Sequence, residues 1–425
     1  MGVFFVEEHW RIAGVQTRIK LRQQFQGRNP YMTKHKSSKT ELPVIYSTNS
    51  LICEKDNENS SFILPSDYDR RQSGALYDWN DWKQKSLTVA TGASKIMERE
   101  SDLECDKARL VTEGRLNRMM ICADYLIFAL GEQIHGGEKR LIGTNFCRDR
   151  FCPHCQKRRS LVLFGQHKPV VEKWTEDVEN TRAKPAFILL TLTTPNCRGD
   201  DLGDCITQML KGFKRLFELK ELGFVKGFLR TLEITYNPKR DDYNPHIHVM
   251  MGVHESYFSH GYLSQRRWLA LWKKSVRRDD VQIVDARRIH GNGQGVGDTH
   301  SSAMAGVLET AKYCTKPSDY MKFDEKTGKY SVNDKVLEVL MRNLKGRKLV
   351  ALGGAFREIH KNLKMQDEES SDLISADLDQ DNKFVALYEA LWRWSSNSNG
   401  YYLSRTTPAD PPIDPGDFTK SQRDP

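Results

Sequence analysis

The chain has 425 residues, of which 38% are hydrophobic and 28% charged, and its formal net charge is +9 with a pI near 8.9. This length allows two or three domains, and the polar composition indicates a globular part that carries polar tails. The basic charge favours a nucleic-acid partner but does not require one. Because no apolar run approaches the roughly 18 residues that a membrane helix needs, a membrane partner is not expected.

The two ends of the chain are more polar than its middle. Residues 1–105 show no sustained hydrophobic period, which predicts a largely disordered N-terminal region. Residues 365–425 include a stretch with seven acidic residues and no basic one, and we expect a mostly disordered acidic tail with one short helix at 383–394. Between the two ends the sequence predicts a helical region over 106–175 and a larger folded region over 176–364.

The larger region alternates between strand and helix periodicities. Its predicted elements, in chain order, are a strand at 186–194, a helix through 206–217, strands at 228–236 and 246–251, a basic helix capped by Ser264, a strand at 281–289 and a helix at 301–316. Turn residues separate the second and third strands, so these two are expected to pair as a hairpin. The order predicts an α+β fold in which an antiparallel sheet carries helices on one face.

His246 and His248 lie two residues apart on a predicted strand, so their side chains share one face of the sheet. In the hairpin, Glu233 falls opposite or diagonal to one histidine, within roughly 5 to 8 Å. Two imidazoles and one carboxylate form a site for a divalent cation, Mn²⁺ or Mg²⁺ with Zn²⁺ as a further option, that would polarise a phosphate oxygen. The alternative is a pair of histidines at a sheet edge that binds no metal.

The predicted helix at 301–316 has an apolar stripe, and Glu309, Tyr313 and Lys316 cluster on nearly the opposite side. The hydroxyl of Tyr313 can therefore attack phosphorus as a nucleophile. Lys316 can stabilise the phenolate or the phosphate charge, and Glu309 can activate a water molecule in a later step. The alternative is an exposed tyrosine beside an ordinary ion pair.

Cys147, Cys152 and Cys155 stand close together, the last two at the CxxC spacing that commonly holds zinc. Nine cysteines without a recognisable secretory signal indicate a reducing cytoplasm, where clustered cysteines bind metals more often than they form disulfides. The sequence therefore predicts a structural Zn²⁺ site in the helical region, with Cys122 as the fourth ligand and His154 as the second choice. The alternative is a set of free buried thiols.

Basic side chains follow the cysteines and also populate the predicted helix after the hairpin. We expect contacts with a nucleic-acid backbone from these residues: Arg158, Arg159, Arg266, Arg267, Lys273, Lys274, Arg277 and Arg278. Most of the affinity would then come from phosphate contacts, so it should fall steeply with salt.

Four segments together resemble the Rep_1-type rolling-circle replication initiators of small bacterial plasmids, a branch of the HUH endonucleases. They are CRDRFCPHC, FILLTLTTPN, the NPHIHVMM block with LEITYN before it, and ETAKYCTK, in the family's order across roughly residues 110–330. The resemblance implies a palm-like antiparallel sheet that carries the metal, with His246 and His248 as ligands and Tyr313 as the nicking residue. Glu309 matches the acid that this branch carries four residues before its tyrosine, whereas the role of Glu233 as third ligand rests mainly on geometry.

The resemblance also implies an HUH endonuclease domain over 176–364, behind an N-terminal zinc-knuckle region, in a bacterial cytoplasmic protein. Such a protein would bind double- and single-stranded plasmid origin DNA and nick one strand through a covalent 5′-phosphotyrosine. Glu309 would assist termination, while a host helicase and a host DNA polymerase act on the nicked plasmid. No Walker A motif occurs, so no ATPase activity is expected.

Two alternatives remain open from the sequence. One is a mobilisation relaxase or single-strand transposase, although relaxases usually have three metal-binding histidines and an N-terminal tyrosine, neither of which occurs in this sequence. The other is a non-enzymatic zinc-ribbon DNA-binding protein, in which the two histidines and the tyrosine have no catalytic role.

Overall fold

Helices and antiparallel strands alternate along the chain in the computed structural model, which describes residues 78–101, 109–130, 139–290, 303, 306–307, 310, 316–365, 372–374 and 386–413. The helices are α1 (Trp79–Arg99), α2 (Glu113–Met120), α3 (Pro153–Asn180), α4 (Leu202–Phe217), α5 (Tyr257–His260), α6 (Gln265–Val276), α7 (Pro317–Tyr320), α8 (Asp334–Leu344) and α9 (Ala355–Asn362). The strands are β1 (Tyr125–Leu130), β2 (Lys139–Thr144), β3 (Pro185–Thr193), β4 (Gly227–Asn237), β5 (Asp242–His254), β6 (Val284–Arg288), β7 (Met321–Asp324), β8 (Lys329–Val332), β9 (Val350–Gly354), β10 (Ala386–Ser395) and β11 (Gly400–Ile413). Within these ranges, no helix combines the length and the apolar character needed to cross a membrane.

A five-stranded sheet in the order β6-β3-β5-β4-β9 contains the predicted hairpin. Its neighbouring strands are antiparallel. Strands β4 and β5 pair with Glu233 opposite His246 and Thr231 opposite His248, which confirms the hairpin with strands longer than the sequence indicated. The combination of antiparallel strands and packed helices is the α+β fold that the sequence predicts.

Helices cover both faces of this sheet, so the prediction of helices on one face is wrong. Helices α4 and α6 pack on the face that carries Ile247, where the indole N–H of Trp272 also donates to the carbonyl oxygen of Thr193 at 2.7 Å. Helices α3 and α9 pack on the other face, where Trp174 meets the ring of Phe187 edge to face. The reason is that β3 and β5 carry apolar side chains on both faces around Phe187 and Met250, and each apolar face must be buried.

A second sheet of four strands, in the order β11-β10-β1-β2, includes part of the C-terminal region. Strand β10 covers most of the segment expected to form a short helix, so that prediction is wrong. The reason is a period of two along the strand: Trp392 and Trp394 pack in the core, whereas Arg393 between them is exposed. Pairing with β1 on one side and β11 on the other attaches this part of the tail to the folded unit.

Helix α1 lies in the region expected to be largely disordered and corrects that expectation for its own length. Val89 and Ile96, seven residues apart and so on one face, are fully buried. Asp78 caps the helix by accepting a hydrogen bond from the backbone N–H of Asp81 at 3.0 Å. Residues 1–77 lie outside the described residues.

One hydrophobic cluster joins side chains of α1, α2, α4 and α6 with both sheets. Helix α3 also runs without a break through residues 175 and 176, where a domain boundary is expected from the sequence. The described residues all belong to one compact unit that spans Asn59–Pro425, and the other unit, Met1–Glu58, lies outside them.

Candidate active site

Strands β4 and β5 bring Glu233, His246 and His248 together on one face of the five-stranded sheet, as the histidine–glutamate cluster. The Nε2 atoms of His246 and His248 lie 3.4 and 3.3 Å from Oε2 of Glu233. The three side chains offer ligand atoms within 4.8 Å of one another. Their placement follows from the period of two along β5 and from the register that sets Glu233 opposite His246. Two imidazole nitrogens and a carboxylate that converge in this way fit a divalent cation.

A hydrogen bond at the other ring nitrogen orients each histidine. The carbonyl oxygen of Asn244 lies 3.1 Å from Nδ1 of His246. Because a carbonyl only accepts, Nδ1 donates this hydrogen bond, and Nε2 on the other side of the ring faces Glu233. The hydroxyl of Thr191 lies 3.1 Å from Nδ1 of His248. These contacts hold the two rings edge to face with their centroids 4.9 Å apart.

Lys316 contacts the histidine–glutamate cluster directly. Its Nζ pairs with Oε1 of Glu233, the carboxylate oxygen that the histidines do not share. Burial by itself would raise the pKa of Glu233, but hydrogen bonds from the two histidines and Lys316 outweigh it and hold that pKa well below its usual range. Glu233 is therefore ionised at neutral pH, which is the state that binds metal.

Asp319 lies beside this cluster, although no sequence motif predicts it. Its Oδ1 accepts a hydrogen bond from the backbone N–H of Tyr236 at 3.2 Å, and its Oδ2 is buried with no hydrogen-bond partner among the described residues. Burial raises the pKa of Asp319 to about 6, although the Tyr236 N–H and the charge of Lys316 act to lower it. Only its place three residues after Lys316 could have indicated it, because Asp319 belongs to none of the recognised motifs.

The helix predicted at 301–316 is described at four helical positions: Ala303, Gly306, Val307 and Thr310. Ala303 and Val307 are buried against the sheet face that carries Met250. The two catalytic candidates of this helix, Glu309 and Tyr313, lie outside the described residues.

The chain on both sides of Tyr313 contacts the face of the sheet that carries the histidine–glutamate cluster. The carbonyl oxygen of Thr310 accepts a hydrogen bond from the hydroxyl of Thr231 at 2.7 Å. Lys316, on the other side, pairs with Glu233. Thr231 and Glu233 are two residues apart on β4 and share one face. The segment that contains Tyr313 therefore starts and ends at this face.

Four cysteines form a second group, the cysteine cluster, around the start of α3. The Sγ of Cys155 lies 3.6 Å from that of Cys122 and 3.6 Å from that of Cys147. The Sγ of Cys152 also lies 3.6 Å from that of Cys122. A tetrahedral zinc ion with Zn–S bonds of about 2.3 Å needs sulfur atoms about 3.8 Å apart. Since all four thiols are buried, the arrangement fits a closed structural site.

Hydrogen-bond donors surround the cysteine cluster. The backbone N–H of Cys147 points to Sγ of Cys122 at 3.3 Å, and that of Asp149 to Sγ of Cys147 at 3.4 Å. The buried ammonium group of Lys83 donates to the carbonyl oxygen of Cys122 and to Oδ1 of Asp124, each at 2.6 Å. The two backbone donors stabilise negative charge on sulfur, whereas hydrogen bonds with the neighbouring thiols raise the pKa of Cys147 and burial raises that of Cys155, so deprotonation of all four thiols would accompany zinc binding.

His154, the second choice for the fourth zinc ligand, is fully buried but lies outside the cysteine cluster. Its ring packs 5.1 Å from the ring of Trp79 and 5.4 Å from that of Phe146. Burial lowers the pKa of His154 to about 3, so it is neutral. The geometry therefore favours Cys122 over His154.

The basic helix α6 packs on the sheet face opposite to the histidines. It is capped as the sequence predicts, because the side chain of Ser264 accepts a hydrogen bond from the backbone N–H of Arg267. The side chain of Arg267 pairs with Glu221, and Arg278 pairs with Asp280. The candidate nucleic-acid contacts that are exposed, and that have no ion pair among the described residues, are Arg266, Lys274 and Arg277; Lys273 is half-buried.

The expectation that Arg158 contacts a nucleic-acid backbone is wrong. Its side chain is 1% exposed, and its guanidinium donates to the carbonyl oxygens of Leu373 and Ile374, each at 2.8 Å. These two acceptors belong to the C-terminal region, so this arginine joins distant parts of the chain. The neighbouring Arg159 is half-buried and donates to the carbonyl oxygen of Arg148 at 3.1 Å.

Comparisons with known proteins identify similar chains. The family model Rep_1, described as a replication protein, matches residues 138–402. A protein from Bacillus amyloliquefaciens named "Protein rep" is 31% identical over 355 residues, which are 82% of this chain and 99% of that protein. A "Protein rep" from Streptococcus pneumoniae serotype 2 is 32% identical over 355 residues, 81% of this chain and 97% of that protein. No solved structure matches the chain significantly.

Proposed function

The chain belongs to the Rep_1 family of replication proteins, and we propose that it starts rolling-circle replication of a plasmid by nicking one strand of the origin. The nick is made by Tyr313, which becomes joined to the DNA as a 5′-phosphotyrosine. In this proposal the protein is an HUH-type endonuclease and strand transferase of the bacterial cytoplasm. Its five-stranded sheet acts as the palm, and its cysteine cluster acts as the zinc knuckle.

The observation that carries this proposal is that the segment around Tyr313 is attached at both ends to the face with the histidine–glutamate cluster. Thr310 and Lys316 are each three residues from Tyr313, so its Cα lies within about 11 Å of each of theirs. This limit allows the side chain of a tyrosine to reach a phosphate that is bound at the cluster. The geometry therefore supports Tyr313 as the nucleophile.

The reaction forms one bond to phosphorus and breaks another. The phenolic oxygen of Tyr313 attacks while its proton is lost to solvent, and the bond from phosphorus to the 3′ oxygen breaks to leave a free 3′-OH. The ammonium group of Lys316 balances part of the charge that develops on the phosphate. Because the phosphotyrosine linkage conserves the energy of the broken phosphodiester bond, rejoining needs no nucleoside triphosphate.

Two metals fit the chain. Mn²⁺ or Mg²⁺, held by the histidine–glutamate cluster, would supply polarisation of a phosphate oxygen. Zn²⁺, held by the cysteine cluster, would supply structural stability alone, because four thiolates leave no position for a substrate. The ionised Glu233 and the orientation of the histidine Nε2 atoms support the first assignment; the sulfur–sulfur separations of 3.6 Å support the second.

The remaining roles follow the chemistry of rolling-circle replication. A host helicase unwinds the plasmid while a host DNA polymerase extends the free 3′-OH. After one round Glu309 directs water at the regenerated site, which ends the cycle by hydrolysis. The exposed basic residues of α6, on the opposite face of the sheet, contact the phosphates of duplex origin DNA.

The proposal is tested with the full chain and the supercoiled plasmid that encodes it, in buffer with added Mn²⁺. The wild type should convert supercoiled plasmid to open circles, and protein should stay attached to the DNA after denaturation. Tyr313→Phe should do neither, because it lacks the attacking oxygen. Tyr262→Phe, at an exposed tyrosine away from the cluster, is the matched control and should nick at the wild-type rate.

Three outcomes separate this proposal from its alternatives. Plasmid binding without nicking by the wild type would favour the non-enzymatic zinc-ribbon protein. Nicking of single strands only, with no action at a double-stranded origin, would favour a single-strand transposase. Nicking by Tyr313→Phe at the wild-type rate would remove this residue from the mechanism.

A further inference from the structure

The four-stranded sheet buries one face and leaves part of the other exposed. On the inner face Leu126, Trp392 and Tyr401 belong to the hydrophobic core and are at most 6% exposed. Because side chains alternate along a strand, the residue next to each of these points outward. The outward neighbours are Tyr125, Arg393 and Tyr402.

These three outward residues form one row across three strands. Tyr125 pairs with Arg393, and Arg393 pairs with Tyr402. The two tyrosines are therefore separated by two strand spacings, roughly 10 Å, with a guanidinium between them. Tyr402 is 44% exposed, and Arg393 is exposed. An aromatic ring and a cation thus share an accessible sheet surface.

The next row on the same face repeats the combination of apolar and basic groups. Ile127 pairs with Leu391, which pairs with the exposed Arg405. Within the described ranges, neither Arg393 nor Arg405 has an ion-pair partner. Glu389 is the acidic residue of this face on β10, one row beyond Leu391. The face therefore has a local excess of positive charge in addition to its aromatic side chains.

Hydrogen bonds attach the strands that carry these two rows to the rest of the folded unit. The hydroxyl of Tyr401 donates to the carbonyl oxygen of Ala123, and its backbone N–H donates to Oδ1 of Asn80 at 3.0 Å. The backbone N–H of Trp394 donates to the carbonyl oxygen of Asp124 at 2.8 Å. These contacts attach β10 and β11 to the chain beside the cysteine cluster, so the strands that carry the outward side chains are held in place before any partner binds.

We propose that this outer face, defined by Tyr125, Arg393, Tyr402 and Arg405, binds single-stranded DNA. Exposed aromatic rings on a sheet stack on unpaired bases without reading sequence, and guanidinium groups between them contact phosphates. In a duplex the faces of the bases are already stacked on one another, so the tyrosine rings cannot stack on them. This face belongs to a different sheet from the histidine–glutamate cluster. It would hold the single strand that nicking and unwinding release, and in this respect the inference rests on the proposed function.

The test measures binding of the full chain to a fluorescent dT oligonucleotide by anisotropy, with EDTA present so that nicking plays no part. Tyr402→Ala should bind about tenfold more weakly, because stacking on one base is lost. Tyr402→Phe keeps the ring and should bind within about twofold of the wild type. Tyr262→Ala removes a tyrosine outside the sheet that is even more exposed than Tyr402, and it should bind like the wild type.

A second arm tests the charge. Arg393→Ala should weaken binding and reduce the dependence of log Kd on log salt by about 0.7, as expected for one lost contact to a single-strand phosphate. The affinity of these variants for a dA·dT duplex of the same length should stay at the wild-type value. Equal affinities of wild type, Tyr402→Ala and Arg393→Ala for the single strand would overturn the proposal. So would a change in oligomeric state with unchanged DNA affinity, since the face would then join copies of the chain.

These outcomes are independent of the nicking result. If the wild type fails to nick plasmid but Tyr402→Ala still loses single-strand affinity, the proposed function fails and this inference stands. If the wild type nicks but Tyr402→Ala keeps full affinity, the inference fails and the proposed function stands.

Discussion

Lys316 pairs with Oε1 of Glu233, while Oε2 of the same carboxylate lies 3.3 Å from Nε2 of His248. The carboxylate of Glu233 thus faces both the ammonium group of Lys316 and the histidine nitrogen atoms that would hold a divalent cation. Because both cations draw on the charge of Glu233, we expect Lys316 to oppose metal binding, although the proposed reaction uses its charge at the phosphate.

Replacement of this lysine should separate the two effects. Lys316→Met should tighten Mn²⁺ binding about fivefold, since removal of a partly exposed ammonium ion is worth on the order of 1 kcal/mol. The same variant should nick more slowly at saturating Mn²⁺, because the phosphate loses a cation. Calorimetric titration of Mn²⁺ and a plasmid-nicking assay measure the two effects. Weaker Mn²⁺ binding by Lys316→Met would show instead that the lysine organises the site.

The hydroxyl of Thr191 holds Nδ1 of His248. Thr191→Val removes this hydrogen bond at nearly constant volume and should weaken Mn²⁺ binding about tenfold, as loss of a partner that orients a ligand commonly does. Thr193→Val is the matched control, because Thr193 lies two residues away on the same face and donates to the carbonyl oxygen of Ile283. Equal Mn²⁺ affinities for the two variants would mean that Thr191 does not orient the histidine.

Asp319 gives the metal-free protein a dependence on pH. Burial raises its pKa in the folded state to about 6, above the ordinary value of 3.8. The folded state therefore binds more protons than the unfolded state between these values, so this group's contribution to stability falls as pH rises through about 6. Asp319→Asn should stabilise the protein more at about pH 7.5 than at about pH 5, as measured by urea unfolding in EDTA. A gain that is equal at both pH values would contradict the buried, ionised carboxylate.

The cysteine cluster should hold about one zinc ion per chain. Cys152→Ser should lose this zinc and lower Tm by roughly 10 °C, because a structural zinc site contributes directly to folding. Cys197→Ser is the control, since Cys197 is partly exposed and outside the cluster. Elemental analysis and thermal unfolding provide the measurements. A folded wild type that lacks zinc, or a Cys152→Ser variant that retains it, would refute the site.

The sequence predicts all three residues of the histidine–glutamate cluster because the relevant signals are local. A period of two placed His246 and His248 on one face, and turn residues paired their strand with the one that carries Glu233. The register then followed from the hairpin. The structure also places Cys122 with the other three thiols, whereas its role as a zinc ligand stays a prediction.

What the sequence did not reveal depends on contacts between distant residues. Arg158 follows a cysteine motif, which favours a position at the surface. The structure instead buries its side chain, which donates to carbonyl oxygens more than 200 residues further along the chain. Strand β10 has enough apolar residues for either a helix or a strand, and its partners β1 and β11 decide between them. Asp319 is buried because α7 packs beside β4, and the sequence around Asp319 does not indicate that contact.

The most direct test of the central claim is to identify the residue that becomes joined to DNA. The wild type is incubated with its plasmid and Mn²⁺, and the adduct is digested with nuclease and trypsin for mass spectrometry. Because trypsin does not cut between Lys316 and Pro317, one peptide, residues 313–322, contains both Tyr313 and Tyr320. Fragment ions should place a nucleotide phosphate on Tyr313. A nucleotide on Tyr320 or on any other peptide, or nicked plasmid without a modified peptide, would contradict the account.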